Sequence, residues 1–309
     1  MKIVFMGTPD FAVPILKGLI DNYEVALVVS QPDREVGRKK VIMPTETKKV
    51  ALEENIEVFQ PNKIKDNYQR ILEIKPDLIV TCAYGQIIPK EVLEFPRLGC
   101  INVHGSLLPK LRGGAPIHHA IINGYEETGI TIMYMDSKMD SGDIISQKKI
   151  KIEDSDTVGT LWDKMSLLGR DLLLETLPSI INGTNLRIKQ NEEEVTFGYN
   201  IKREEEKLDF NLTSREVFNH IRGLSPFPGA YALIDGNPMK IYNSYILDKK
   251  YNTEASLIVE VMKDGLVVST KDGSIVITDI KPFGKKRMLV SDYLNGVDKN
   301  KLIGKVFNK

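Results

Sequence analysis

Short apolar runs at 3–6, 25–29, 56–59, 78–81, 101–103 and 130–135 are separated by helix-length amphipathic stretches. This is how βαβ units read in sequence. Each strand is buried on both faces, so it becomes a near-continuous apolar run, and each return to a parallel neighbour needs a crossover. The pattern predicts a doubly wound, mostly parallel α/β sheet of the Rossmann-like kind for the first part of the chain. A helix is predicted over 157–181, where Leu161, Met165, Leu168 and Leu172 recur at three- and four-residue steps. It is expected to cover the sheet, with Trp162 in the core.

At 309 residues the chain exceeds one ordinary domain. From 182 to 208 the periodicity lapses into polar sequence, including Asn191-Glu192-Glu193-Glu194 and a charged run over 202–207. Beyond it come one helical stretch, 214–222, and β-type segments at 230–234, 239–246, 255–262, 265–269 and 274–280. Turn signals such as Asp235-Gly236 and Asp272-Gly273 divide these strands. The expected organisation is an α/β domain over 1–189, a linker over 190–206 and a small OB-like β-barrel over 207–309.

Hydrophobic residues at 42% and charged ones at 27% describe an ordinary globular chain, and no apolar run approaches the roughly 20 residues that span a bilayer. The N-terminus runs straight into a strand pattern without a signal peptide, and the two cysteines, Cys82 and Cys100, sit in apolar strand-like surroundings. Both features point to the cytoplasm, with reduced, packed thiols. Basic and acidic side chains number 42 each, which by itself argues for no polyanionic partner. Divided at 206/207, however, the balance is 26 basic to 31 acidic, then 16 to 11. The second part is basic enough to meet a polyanion, although drift in surface composition gives the same numbers. Within the first part, Arg34, Arg38, Lys39 and Lys40 crowd a loop after the second strand. Such a loop can follow a phosphate backbone, or it is simply a solvated charge cluster.

The stretch from Cys100 to Pro116 carries the most chemistry. Ile101 and Val103 alternate with Asn102 and His104, so on a strand the amide and the imidazole share a face. Together they can donate to a developing oxyanion, and the imidazole can also move a proton; the alternative is that they cap a strand end. Gly105 permits a turn, Leu107-Leu108-Pro109 forms an apolar rim, and Arg112-Gly113-Gly114 reads as flexible and basic. Asp140, in Met139-Asp140-Ser141-Gly142-Asp143, either orients His104 or is an ordinary turn aspartate. No metal-ligand spacing is present: His118 and His119 are adjacent and diverge on a helix. Gly7-Thr8-Pro9-Asp10 lacks the glycines of a dinucleotide turn.

These residues resemble the formyltransferase family that uses 10-formyltetrahydrofolate: Asn102-x-His104, Ser106-Leu107-Leu108-Pro109, Arg112-Gly113 with Ala115-Pro116, and the Asp140 turn. The resemblance implies that Asn102, His104 and Asp140 form the catalytic trio. It also implies that Ser106, Leu107, Leu108 and Pro109 contribute to the folate site, with the folate as co-substrate and no metal. Further motifs resemble the branch that formylates methionine esterified to initiator tRNA: 5–12, Gln31-Pro32-Asp33-Arg34 through Lys39-Lys40 to Met43-Pro44, 222–230, and Lys281-Pro282-Phe283-Gly284-Lys285-Lys286. That branch implies tRNA contact by Arg34, Arg38, Lys39, Lys40, Lys285 and Lys286, in a monomeric enzyme. Phe227 departs from the family's usual Trp, and Tyr199-Asn200 from its usual wording. A small-amine formyltransferase or a formyltetrahydrofolate deformylase remains the alternative.

Overall fold

The computed structural model describes residues 1–36 and 40–309. Its backbone contacts divide into two units. The first holds Met1–Pro116, Glu127–Lys151 and Trp162–Tyr199; the second holds Ile117–Glu126, Ile152–Leu161 and Asn200–Lys309.

The strands of the first unit are β1 (Lys2–Gly7), β2 (Glu24–Val29), β3 (Arg34–Val36), β4 (Val41–Met43), β5 (Val58–Phe59), β6 (Leu78–Cys82), β7 (Cys100–His104), β8 (Glu127–Tyr134) and β9 (Ile144–Lys151). Seven of them form one sheet in the order β5-β2-β1-β6-β7-β8-β9. Pairing is parallel from β5 to β7, and β8 and β9 are antiparallel additions at one edge. β9 is absent from the sequence expectation because its second half, Lys148-Lys149-Ile150-Lys151, is mostly charged, as suits a strand at a sheet edge. The chain winds outward through β1, β2 and β5, then returns to the far side of β1 as β6. That reversal leaves a crevice at the carboxyl ends of β1 and β6, the place where open α/β sheets bind ligands.

Helices α1 (Ala12–Asn22), α2 (Glu46–Glu53), α3 (Gln69–Glu73), α4 (Lys90–Leu93) and α5 (Pro116–Ile122) fall between these strands in the chain, and α6 (Val158–Ile181) follows β9; most of α5 and the first turn of α6 group with the second unit. One sheet face is buried with Val4, Met6, Leu27, Ile71, Ile79 and Val92. On the other face Gly169 of α6 lies so near the sheet that a Cβ there would come 3.0 Å from Val103 Cγ1. Trp162 is half-buried rather than in the core. Its indole N–H donates to Asp10 Oδ1 (3.0 Å), which keeps the ring edge at the surface. The stretch 190–199, expected as linker, is built into the first unit by backbone bonds to the loop after β7.

In the second unit, α7 (Ser214–Gly223) starts with a reciprocal cap between Thr213 and Glu216. It packs against β10 (Ala230–Ile234), β11 (Asn237–Leu247), β12 (Ile258–Val261), β13 (Leu266–Ser269), β14 (Ser274–Lys281) and β15 (Met288–Leu289), followed by α8 (Val290–Leu294). The antiparallel order is β10-β11-β14-β13-β12, with β15 on β14. Asp235 and Gly236 both take positive φ, 49° and 73°, as a tight hairpin turn requires. The strands β10 and β12 at either end of this path are joined by the C-terminal residues. Gly304 N–H donates to Ile258 O (2.9 Å), Phe307 N–H to Ser256 O (2.8 Å) and Asn308 N–H to Leu233 O (2.7 Å). The sheet therefore closes through its own tail. Phe307 anchors that closure in the core, 5.3 Å from Phe210.

Phe307→Ala should lower the unfolding free energy of the second unit by about 3 to 5 kcal/mol, the usual cost of emptying a buried aromatic site. Denaturant unfolding checks this. A loss below about 1 kcal/mol would mean that the tail does not hold the barrel.

Candidate active site

Asn102 and His104 emerge from β7 on one face, Asn102 half-buried and His104 buried at 5% exposure. Asn102 Oδ1 lies 2.8 Å from the hydroxyl of Thr81 on neighbouring β6, so the amide is held with its NH2 end directed away from β6. His104 Nε2 is 3.1 Å from Leu111 O. A carbonyl only accepts, so Nε2 carries the proton, and Nδ1 is the nitrogen at which a proton comes and goes. Nδ1 faces Asp140 Oδ2 at 3.8 Å, too long for a direct hydrogen bond.

Asp140 takes φ 49°, a left-handed conformation that aspartate tolerates better than most residues, and its Oδ2 accepts from Gly113 N–H (2.8 Å). Leu111 also has a positive φ, 58°, which for a bulky side chain is strained. The loop after β7 thus places its strained residue where that residue's carbonyl meets the imidazole. Gly113 is required as glycine, because a Cβ there would come 2.7 Å from Gly198 O.

The sequence expectation gave the Ser106–Pro109 segment a folate role. Ser106, 1% exposed, spends its hydroxyl on Lys110 O (2.6 Å). Leu108 packs with Met133 and Ile144. Of the four, Leu107 and Pro109 are the half-exposed ones. Arg112 is not flexible as expected but 5% exposed, with its guanidinium bonded to Gln190 Oε1 (3.0 Å) and Glu192 (2.8 Å). Sequence reasoning missed Gln190, Thr196 and Thr81. Their signal is positional, visible only once strands and loops are laid side by side.

A cleft of about 440 Å³ opens at the carboxyl ends of β1 and β6, lined by Thr8, Gln31, Arg34, Met43, Tyr84 and neighbouring residues. Arg34 and Met43 come from a hairpin rather than the expected loop, since the β-branched residues of β3 and β4 pair antiparallel. The base of the hairpin is tied down by Asp33, which accepts from Lys48 Nζ (2.6 Å) and Gln60 Nε2 (2.7 Å). The Lys48 bond holds the Asp33 carboxyl below its usual range. Lys40 is exposed at the hairpin end, 3.5 Å from Glu35. Arg38 and Lys39 lie outside the described residues. In the second unit Lys285 and Lys286 are exposed on the turn between β14 and β15. Among the described residues no three His, Cys, Asp or Glu side chains converge on a metal position, and no helix is long and apolar enough to cross a membrane. Cys82 and Cys100 are buried, and burial pushes both thiols far up, so neither is poised as a nucleophile.

An amide donor beside an imidazole–carboxylate pair, at the carboxyl edge of a parallel sheet and away from any reactive thiol, defines a site for acid–base acyl chemistry. Comparison with known proteins narrows the class. Residues 1–177 match the formyl transferase family and 200–298 the formyl transferase C-terminal domain, and the chain belongs to this family. It is 55% identical over 300 residues to the methionyl-tRNA formyltransferase of Bacillus cereus strain G9842, covering 96% of each chain. The enzyme of that name from Bacillus thuringiensis subsp. konkukian is 54% identical over the same coverage. Among solved structures, the N-formyltransferase of Helicobacter canadensis in complex with folinic acid and dTDP-3-aminofucose shares the fold. It has a TM-score of 0.69 at 22% identity, over 92% of this chain and 100% of that one.

Thr81→Val removes the hydroxyl that orients Asn102. It should lower kcat about tenfold with KM unchanged, the worth of one orienting hydrogen bond. Steady-state kinetics check this, and an unchanged kcat would show that Asn102 is held by other means.

Proposed function

We propose that this chain transfers the formyl group of 10-formyltetrahydrofolate to the α-amino nitrogen of methionine esterified to initiator tRNA. The observation that carries the reading is the pairing of a whole-length kinship to methionyl-tRNA formyltransferases with the trio Asn102, His104 and Asp140 on one unit. The neutral amine attacks the formyl carbon, forming the new C–N bond. The tetrahedral oxyanion is met by the Asn102 amide, and by His104 through Nδ1–H once Nδ1 has taken the amine proton, with Nε2–H still held by the Leu111 carbonyl. The amine proton passes through His104, with Asp140 stabilising the imidazolium, to N10 of the folate as the C–N10 bond breaks. No covalent enzyme intermediate is needed. Holding both substrates in line supplies much of the remaining rate.

In this reading, Leu107 and Pro109 present the apolar rim of the folate site, while Ser106 and Leu108 shape the loop beneath it. Arg34, Arg38, Lys39 and Lys40 meet the acceptor end of the tRNA, and Lys285 and Lys286 meet phosphates elsewhere on it. Residues 190–199 then belong with the catalytic domain, and the linker begins at 200. The enzyme acts as a monomer in the cytoplasm.

With 10-formyltetrahydrofolate present, formyl should appear on methionyl-tRNA and not on an amino-sugar nucleotide, and formate should not be released. Formyl on the sugar nucleotide or free formate would instead assign the chain to the small-amine transferases or the deformylases. Asn102→Ala should lose about 2 to 4 kcal/mol of transition-state stabilisation, read in kcat. Replacing Arg38, Lys39 and Lys40 together by Ala should raise KM for methionyl-tRNA and leave folate affinity alone; equal damage to both would remove these residues from tRNA recognition.

A further inference from the structure

The catalytic pair is set by two irregular loops, and one side chain outside both joins them. Gln190 Nε2 donates to Asp140 O (2.8 Å) and to Gly142 O (2.9 Å), while its Oε1 accepts from Arg112 Nε (3.0 Å). On one side it therefore grips the turn that holds Asp140 at positive φ. On the other it grips the residue next to Leu111, whose carbonyl holds His104. The segment that carries it adds further bonds. Leu111 N–H donates to Thr196 Oγ1 (2.9 Å), Arg112 N–H to Thr196 O (2.9 Å), and Gly198 N–H to Arg112 O (2.8 Å). Residues 178–199 lie between the two stretches that match the family.

We propose that Gln190 is a positioning residue: its amide fixes the distance between the His104 imidazole and the Asp140 carboxylate by cross-linking their two loops. Neither loop is regular structure, and each contains a non-glycine residue at positive φ, so neither holds its geometry by its own backbone preference. The donor end of the amide is the half that matters for Asp140, because two carbonyls converge on it. Its acceptor end serves Arg112, which keeps a second partner in Glu192. The inference rests on the proposed role of His104 and Asp140 in formyl transfer.

The test uses the full chain and two substitutions of similar length. Gln190→Glu keeps the bond to Arg112 but cannot donate to Asp140 O or Gly142 O, and Gln190→Met loses both functions without adding charge. Each is first checked for folding by thermal unfolding, and the better-folded one is carried forward. Its kcat should fall about 10- to 100-fold, the scale of an ångström-level misplacement, while KM for both substrates stays as in the unsubstituted chain. In an Asp140→Ala background the same substitution should cost nothing further, because the residue acts through Asp140. A second readout needs no turnover. The chain has four histidines, and the ring resonances of His104, assigned by their loss in His104→Asn, should move in the Gln190 variant. An unchanged kcat, a full additional loss in the Asp140→Ala background, or superimposable His104 resonances would each overturn the proposal. If the unsubstituted chain formylates no methionyl-tRNA, the functional reading fails by itself, and the resonances still decide the role of Gln190.

Discussion

The carbonyl of Leu111 is the constraint on which the site depends. By accepting from His104 Nε2 it fixes which imidazole nitrogen is the exchangeable one and turns that nitrogen toward Asp140. Leu111 presents this carbonyl from a left-handed conformation that a leucine does not adopt unaided. The loop's hold on it comes from elsewhere: Thr196 receives its N–H, and Ser106 turns its hydroxyl back into the loop. The geometry around His104 is thus the product of a loop strained at one residue and clamped at several others. Such clamping is what keeps strained backbone in place at functional sites.

This explains what sequence reading reached and what it did not. The parallel sheet was legible because burial on both faces writes itself as continuous apolar runs, and β1, β2, β6 and β7 all fall on such runs. Asn102 and His104 could be placed on one face from strand alternation alone. By contrast, β9 is an edge strand whose lysines hide it, and Arg112 reads as a free cation although its partners, Gln190 and Glu192, stand 78 and 80 positions away. The polar stretch over 190–199 reads as linker for the same reason. Its hydrogen bonds are to backbone in another part of the fold, which no local periodicity can report.

The second unit shows the same division. Its turns and strands follow from Asp-Gly signals and β-branched runs, yet its closure depends on Phe307 and Asn308 at the chain's end. Asn308 itself sits at φ 66°, where asparagine is among the few residues at ease. The charge balance was also misleading as a total. Basic side chains outnumber acidic ones after residue 206, and the opposite holds before it, so the neutral sum describes neither part.

In the proposed reaction the formyl group passes directly between two bound substrates, with the protein supplying an oxyanion donor and a proton path. Single-turnover reaction with formyl-labelled 10-formyltetrahydrofolate and methionyl-tRNA, quenched at short times, tests it most directly. Label should leave the folate and appear on the tRNA at equal rates, with none on the protein at any time. Label that passes through the protein, or that leaves the folate without reaching methionyl-tRNA, would contradict it.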